Sequence, residues 1–257
     1  MDYPVFKEEM KSSYTILIPD MLPIHFKLII NILKKYGYHV ELLQTSTRAV
    51  VDEGLKNVHN DTCYPALLVI GQFINALKSG KYDVNRTALM LTQTGGGCRA
   101  SNYIHLLRKA LKKEFPQVPV ISLNLSGLEK GSGLSLTLPL LIKVVYAVFY
   151  GDLLMSLYNQ CKPYEIHSGE SESVREKWQE KLTTIFDKRE FIKCKKYCRM
   201  ILEDFDKIER TKEKKIRVGI VGEIYVKYSP LANNHLEEFL LSEGCEPIVP
   251  ALSLIHI

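Results

Sequence analysis

No stretch of this 257-residue chain supplies the roughly 20 uninterrupted apolar residues that a membrane-spanning helix needs. The most apolar one, residues 134–158, is broken by Pro139, Lys143, Gly151 and Asp152. It is read as a buried helix, and no membrane partner is expected. The N-terminus lacks a basic segment followed by an apolar one, because Asp2, Lys7, Glu8, Glu9 and Lys11 come first, so secretion is not expected. Cysteine is sparse, six in all. Without a secretory leader that count argues against a disulfide framework and for reduced thiols, some available as ligands, in a cytoplasmic protein. A G-x-G-x-x-G fingerprint and a phosphate loop ending in Gly-Lys-Ser/Thr are both missing, which leaves no recognisable ATP site.

What is present is a chain with 46% hydrophobic and 25% charged residues, enough for one large domain or two ordinary ones. The net charge of +5 is concentrated: residues 175–217 hold 15 Lys/Arg against 9 Asp/Glu. Acidic residues are interleaved there and aromatic platforms are few, so the segment reads as a solvated helical surface and not as a nucleic-acid face.

Residues 14–19 (YTILIP) form a β-rich run, 24–35 an amphipathic helix and 38–43 a second strand. Residues 64–79 read as a helix closed by Gly80, 87–92 as a strand, 101–113 as a helix and 118–124 as a strand. Helices dominate from 136 to 209, with a break at 162–173. Then the opening grammar returns: a strand at 216–221, a loop with Pro230, a helix at 233–242, Gly244 and an extended run at 246–249. The expected class is α/β: a doubly wound, mostly parallel sheet (a Rossmann-like lobe), a helical connector and the start of a second Rossmann-like lobe. The expected boundaries are a lead at 1–12, a first lobe at 13–133, a connector at 134–213 and a second lobe begun at 214–250. Residues 252–257 (LSLIHI) look like a translated sequencing-adapter end. A non-native tail over 251–257 on a truncated fragment is therefore expected.

Two cysteines stand apart. Cys63, in NDTCYP, follows good helix-capping residues and precedes a proline by two, which marks the start of a helix. Cys98 follows Gly95, Gly96 and Gly97 and is succeeded by Arg99, between a strand and the next helix. A sulfur at either place faces the positive end of a helix, where negative charge is stabilised. Both read equally well as ligands or reactive thiols and as packing residues. The glycine run also suits a tight turn or a phosphate cradle. Cys194 and Cys198 fall on an apolar helical stripe with Phe191, Ile201, Phe205 and Ile208 and read as core. Cys161 and Cys245 sit in a break and a turn, and His59 reads as structural. Glu223, Tyr225 and Lys227 follow the later strand at a ligand-facing position without a motif.

At residues 58–71 (VHNDTCYPALLVIG), 91–103 (LTQTGGGCRASNY), 118–124 (VPVISLN), Gly151-Asp152 and 218–227 (VGIVGEIYVK) the chain resembles the acyl-CoA dehydratase activase-related proteins, kin to the 2-hydroxyacyl-CoA dehydratases. The resemblance implies two Rossmann-like lobes with a [4Fe–4S] cluster between facing loops, ligated here by Cys63 and Cys98 with Gly95, Gly96, Gly97 and Arg99 supporting the loop. It implies low-potential electron transfer to or on a CoA ester, as in a dehydratase-type lyase. The partner would be an ATP-dependent activator module or a dehydratase subunit. Two cysteines do not complete a four-iron cluster, so a further ligand outside this fragment is expected and the fragment alone would be inactive. The alternatives are a non-catalytic docking or regulatory module using residues 175–217, and a thiol pair of Cys63 with Cys98, which needs Cα atoms within about 7 Å.

Overall fold

The computed structural model describes residues 3–59, 61–93, 102–124, 134 and 137–254. It divides into two compact units, Met1–Asp20 with Tyr36–Leu136, and Met21–Lys35 with Thr137–Ile257.

Among the described residues the first unit is built on four strands, β1 (Thr15–Pro19), β2 (His39–Leu43), β3 (Thr87–Gln93) and β4 (Val120–Asn124). They pair in parallel in the order β2-β1-β3-β4, with Leu17 opposite both Glu41 and Leu89, and Met90 opposite Ile121. From β1 the chain moves first to one side, to β2, and then to the other, through β3 to β4. That reversal is the doubly wound α/β topology. Ile16, Leu17, Ala88, Leu89 and Ile121 are all buried, the near-continuous apolar strands of a parallel sheet covered on both faces.

Among the described residues three α-helices belong to this unit: α2 (Arg48–Asn57), α3 (Tyr64–Lys78) and α4 (Tyr103–Glu114). α3 is apolar almost all round, and its one buried polar side chain, Gln72, donates to the carbonyls of Leu43 and Thr45 at 3.0 Å each. Against it lies α2, a helix not read in the sequence. The contact is between backbones: a Cβ on Gly54 would stand 2.4 Å from the Leu67 carbonyl oxygen, and one on Gly71 2.1 Å from that of Val50.

The second unit takes the helix that links β1 to β2, α1 (Pro23–Lys35), and packs it with α5 (Leu138–Cys161) and α6 (Glu170–Asp187), beside α7 (Cys194–Asp206). Asn31 donates to Thr183 at 3.1 Å and Lys35 pairs with Asp187 at 3.0 Å. Tyr150 is fully buried, set edge-on to Phe186, with its hydroxyl on the Phe191 carbonyl at 2.9 Å. By length and composition the segment Leu138–Tyr164 could cross a membrane, despite the interruptions that argued otherwise. The buried-helix reading holds for its second half, where Asp152, Leu154, Met155 and Asn159 are buried. Leu138 and Val145 in the first half are exposed.

The break after α5 is organised by Glu165, which accepts from the backbone N–H of Gly169 and Ser171 and from Lys162 at 2.7–2.9 Å. Burial works to raise its pKa, but Lys162 and those N–H groups outweigh it and hold the carboxyl at about 2. Much of the charge of 175–217 is spent internally, for example Lys177 on Asp204, Lys193 on Glu190 and Arg210 on Asp206. Last comes a small parallel pair, β5 (Arg217–Gly219) and β6 (Glu246–Ile248). They are joined by three short helices, α8 (Ile224–Tyr228), α9 (Pro230–Asn233) and α10 (Leu236–Ser242).

Candidate functional site

In a doubly wound sheet the strand order reverses between two neighbours, and loops leaving their carboxyl ends diverge to open a crevice. Here the reversal lies between β1 and β3. Three features of the first unit stand at that edge: Asp20 directly after β1, Cys63 at the start of α3, and Tyr103 at the start of α4.

Cys63 is the N-cap of α3, extended at φ −63°, ψ 146°, with Pro65 in the first turn. Its carbonyl accepts from the N–H of Ala66 at 3.0 Å and of Leu67 at 3.3 Å. The half-buried sulfur lies 2.8 Å from the Tyr103 hydroxyl. A phenol O–H can donate to sulfur, so α4 supplies a polar partner for a thiol presented at the start of α3. Cys98, Gly95, Gly96, Gly97 and Arg99 lie outside the described residues.

Asp20 was not singled out by sequence reasoning. It is 6% exposed, and burial pushes its carboxyl up to about 7 against the opposing hydrogen bond of Gln44. A carboxyl that exchanges its proton near neutral pH, at the end of a strand beside the switch point, can serve as an acid or a base. The available signal was its place, an acidic residue immediately after the strand run YTILIP.

The other candidates stand elsewhere. Cys161 is buried and its thiol is pushed up by that burial, against the pull of Arg210 at 3.7 Å. Cys194 and Cys198 are half-buried, not deep core, with sulfurs 3.5 Å apart. Burial and then Cys194 push Cys198 up to about 12. Cys245 packs at the margin of the second unit's core. His59 is exposed and pairs with Asp61 at 3.3 Å. Glu223 does not wait for a ligand: it caps α8, accepting from the N–H of Tyr225 and Val226 at 2.9 and 3.0 Å.

Among the described residues no three His, Cys, Asp or Glu side chains converge to hold a metal ion. A four-iron cluster usually takes three or four protein ligands. Cys63 suits one of those positions, being partly accessible, at a helix start and beside an O–H donor. The described residues supply no second sulfur next to it. No protein-family model, curated protein or solved structure matches the chain.

Proposed function

We infer that the chain is an iron–sulfur component of a 2-hydroxyacyl-CoA dehydratase or activase system, with Cys63 and Cys98 as two ligands of a [4Fe–4S] cluster. The observation that carries this reading is the 2.8 Å approach of Cys63 to Tyr103. It ties the start of α3 to the start of α4, the helix that Cys98 precedes in the sequence, at the carboxyl edge where α/β folds gather ligands. A bound cluster would supply low-potential electrons for a CoA ester. Around it Cys63 would hold iron, Tyr103 would donate a hydrogen bond to that sulfur, and Asp20 would hold or release a proton at the same sheet edge. The remaining ligand would come from outside this chain. An ATP-dependent activator or a dehydratase subunit in the cytoplasm is the partner this chemistry needs.

Anaerobic reconstitution with iron, sulfide and an excess of a small thiol, to complete the ligand set, tests the reading. It should load about four irons per chain, with a visible chromophore that Cys63→Ser and Cys98→Ser each abolish. Failure to bind iron, or iron binding indifferent to both substitutions, rejects it.

A further inference from the structure

Within the second unit lies a cleft of about 390 Å³, a size suited to a small molecule. Its wall is contributed by the start of α1, the second half of α5, the start of α6, and residues 228–241.

The floor is a buried polar arrangement. His25 is 1% exposed and its ring packs against α5, where a Cβ on Gly151 would come within 2.4 Å of it. Its Nε2 is 3.0 Å from Asp152 Oδ1. Asp152 also accepts from the N–H of Leu252 and Ser253 at 2.7 and 2.8 Å. The other ring nitrogen, Nδ1, has no partner among the described residues. Asn159, 3% exposed, donates Nδ2–H to Glu237 at 3.0 Å and leaves its Oδ1 equally without a partner.

Above that floor the charges divide. Glu172 is held by Arg175 at 2.8 Å and Glu238 by His235 at 3.2 Å, while Arg175 also stacks over Tyr158. Glu237 has the Asn159 amide and, among the described residues, no ion pair. Burial raises its pKa, as does Glu238, against Asn159 and His25. The cleft therefore offers the Glu237 carboxylate, with Asn159 Oδ1 buried beside it, while its arginine is already paired with Glu172, although the Nε of Arg175 has no partner among the described residues. Leu22, Met155 and Leu241 add apolar wall. An anion would meet three carboxylates here and an arginine already engaged. The complement is a cation with N–H donors and a short hydrocarbon stem.

The geometry points to a binding site for a small alkylammonium compound, its ammonium on Glu237 and its chain against Met155. This site is in the second unit and is independent of any cluster at Cys63. The test titrates the full chain, carrying ¹³C-methyl methionine, with n-butylammonium, 1-butanol and butyrate. Butylammonium should shift the Met155 methyl resonance saturably, with a dissociation constant around the millimolar range, and the neutral and anionic analogues should not. Glu237→Gln, which keeps the bond to Asn159, should weaken binding about tenfold or more. No saturation up to roughly 50 mM, an equal response to butanol, or unchanged affinity in Glu237→Gln would each overturn the proposal. The comparison of the three probes on the unsubstituted chain stands even if the variant does not fold.

Discussion

Asp20 in the first unit and Asp152 in the second are buried almost equally, 6% and 5% exposed, yet their carboxyls move in opposite directions. At Asp20 burial dominates over the hydrogen bond of Gln44, and the group titrates near 7. At Asp152 burial also pushes upward, but His25 and the backbone N–H of Ser253 and Leu252 outweigh it and hold the carboxyl below its ordinary range. Glu165 follows Asp152: buried, surrounded by donors, and held at about 2. Burial sets the size of the penalty on a charge, and the number of donors aimed at it decides whether the charge survives. Asp20, where burial prevails, is the residue at the switch point of the sheet. A group that costs stability at such an edge is what an acid–base role demands.

The largest effect expected from this contrast is at Asp20. The unfolded group ionises near 3.8 and the folded one near 7, so between those values the folded state carries the extra proton and stability falls as pH rises. Asp20→Asn removes that loss. It should stabilise the chain by about 4 kcal/mol at pH 8 and by little below about pH 4, as read from urea midpoints. Equal stability at pH 8 would mean that donors from elsewhere already compensate Asp20, and the contrast would collapse.

Next comes Gly151→Ala, which places a Cβ 2.4 Å from the His25 ring and drives it off Asp152. A cost of about 3 kcal/mol is expected from overpacking and the lost buried bond. Because the folded pKa of Asp152 is depressed, its contribution is present above the unfolded value and is lost as pH falls through the folded one. The deficit of the variant should therefore narrow in acid. A deficit that is flat with pH would assign the cost to crowding alone.

The smallest effect is at the sheet edge itself. Tyr103→Phe removes one partly exposed hydroxyl and should cost less than about 1 kcal/mol. In the reconstituted chain it should retain iron and lower the cluster potential, since hydrogen bonds to ligand sulfurs raise it. Potentiometric EPR reads the shift, and an unchanged potential would remove Tyr103 from the site.

The strands of the first unit were legible within a residue or two, because runs such as YTILIP and VPVISLN are the continuous apolar segments a buried parallel sheet requires. The start of α3 was equally plain: Cys63 with Pro65 two residues later is a local signal, and Cys63 is the N-cap. α2 escaped notice because Val50 and Gly54 are its only buried residues and its contact partner, Gly71, lies on another helix. α8 and α9 have five and four residues, too few for a period to register. The pair of His25 with Asp152 spans 127 positions. Gly151-Asp152 drew attention as a break in an apolar stretch and as part of a resemblance, not for the His25 ring packed against it.

Order along the chain, class of fold and the place of Cys63 thus follow from residue patterns a few positions long, since hydrophobic period, capping and turn chemistry are local properties. Which carboxyl keeps its charge, which histidine meets a carboxylate and which glutamate is left without an ion pair among the described residues depend on groups brought from distant parts of the chain. Folding alone makes those assignments, because the energy of a buried charge is set by whatever packs against it.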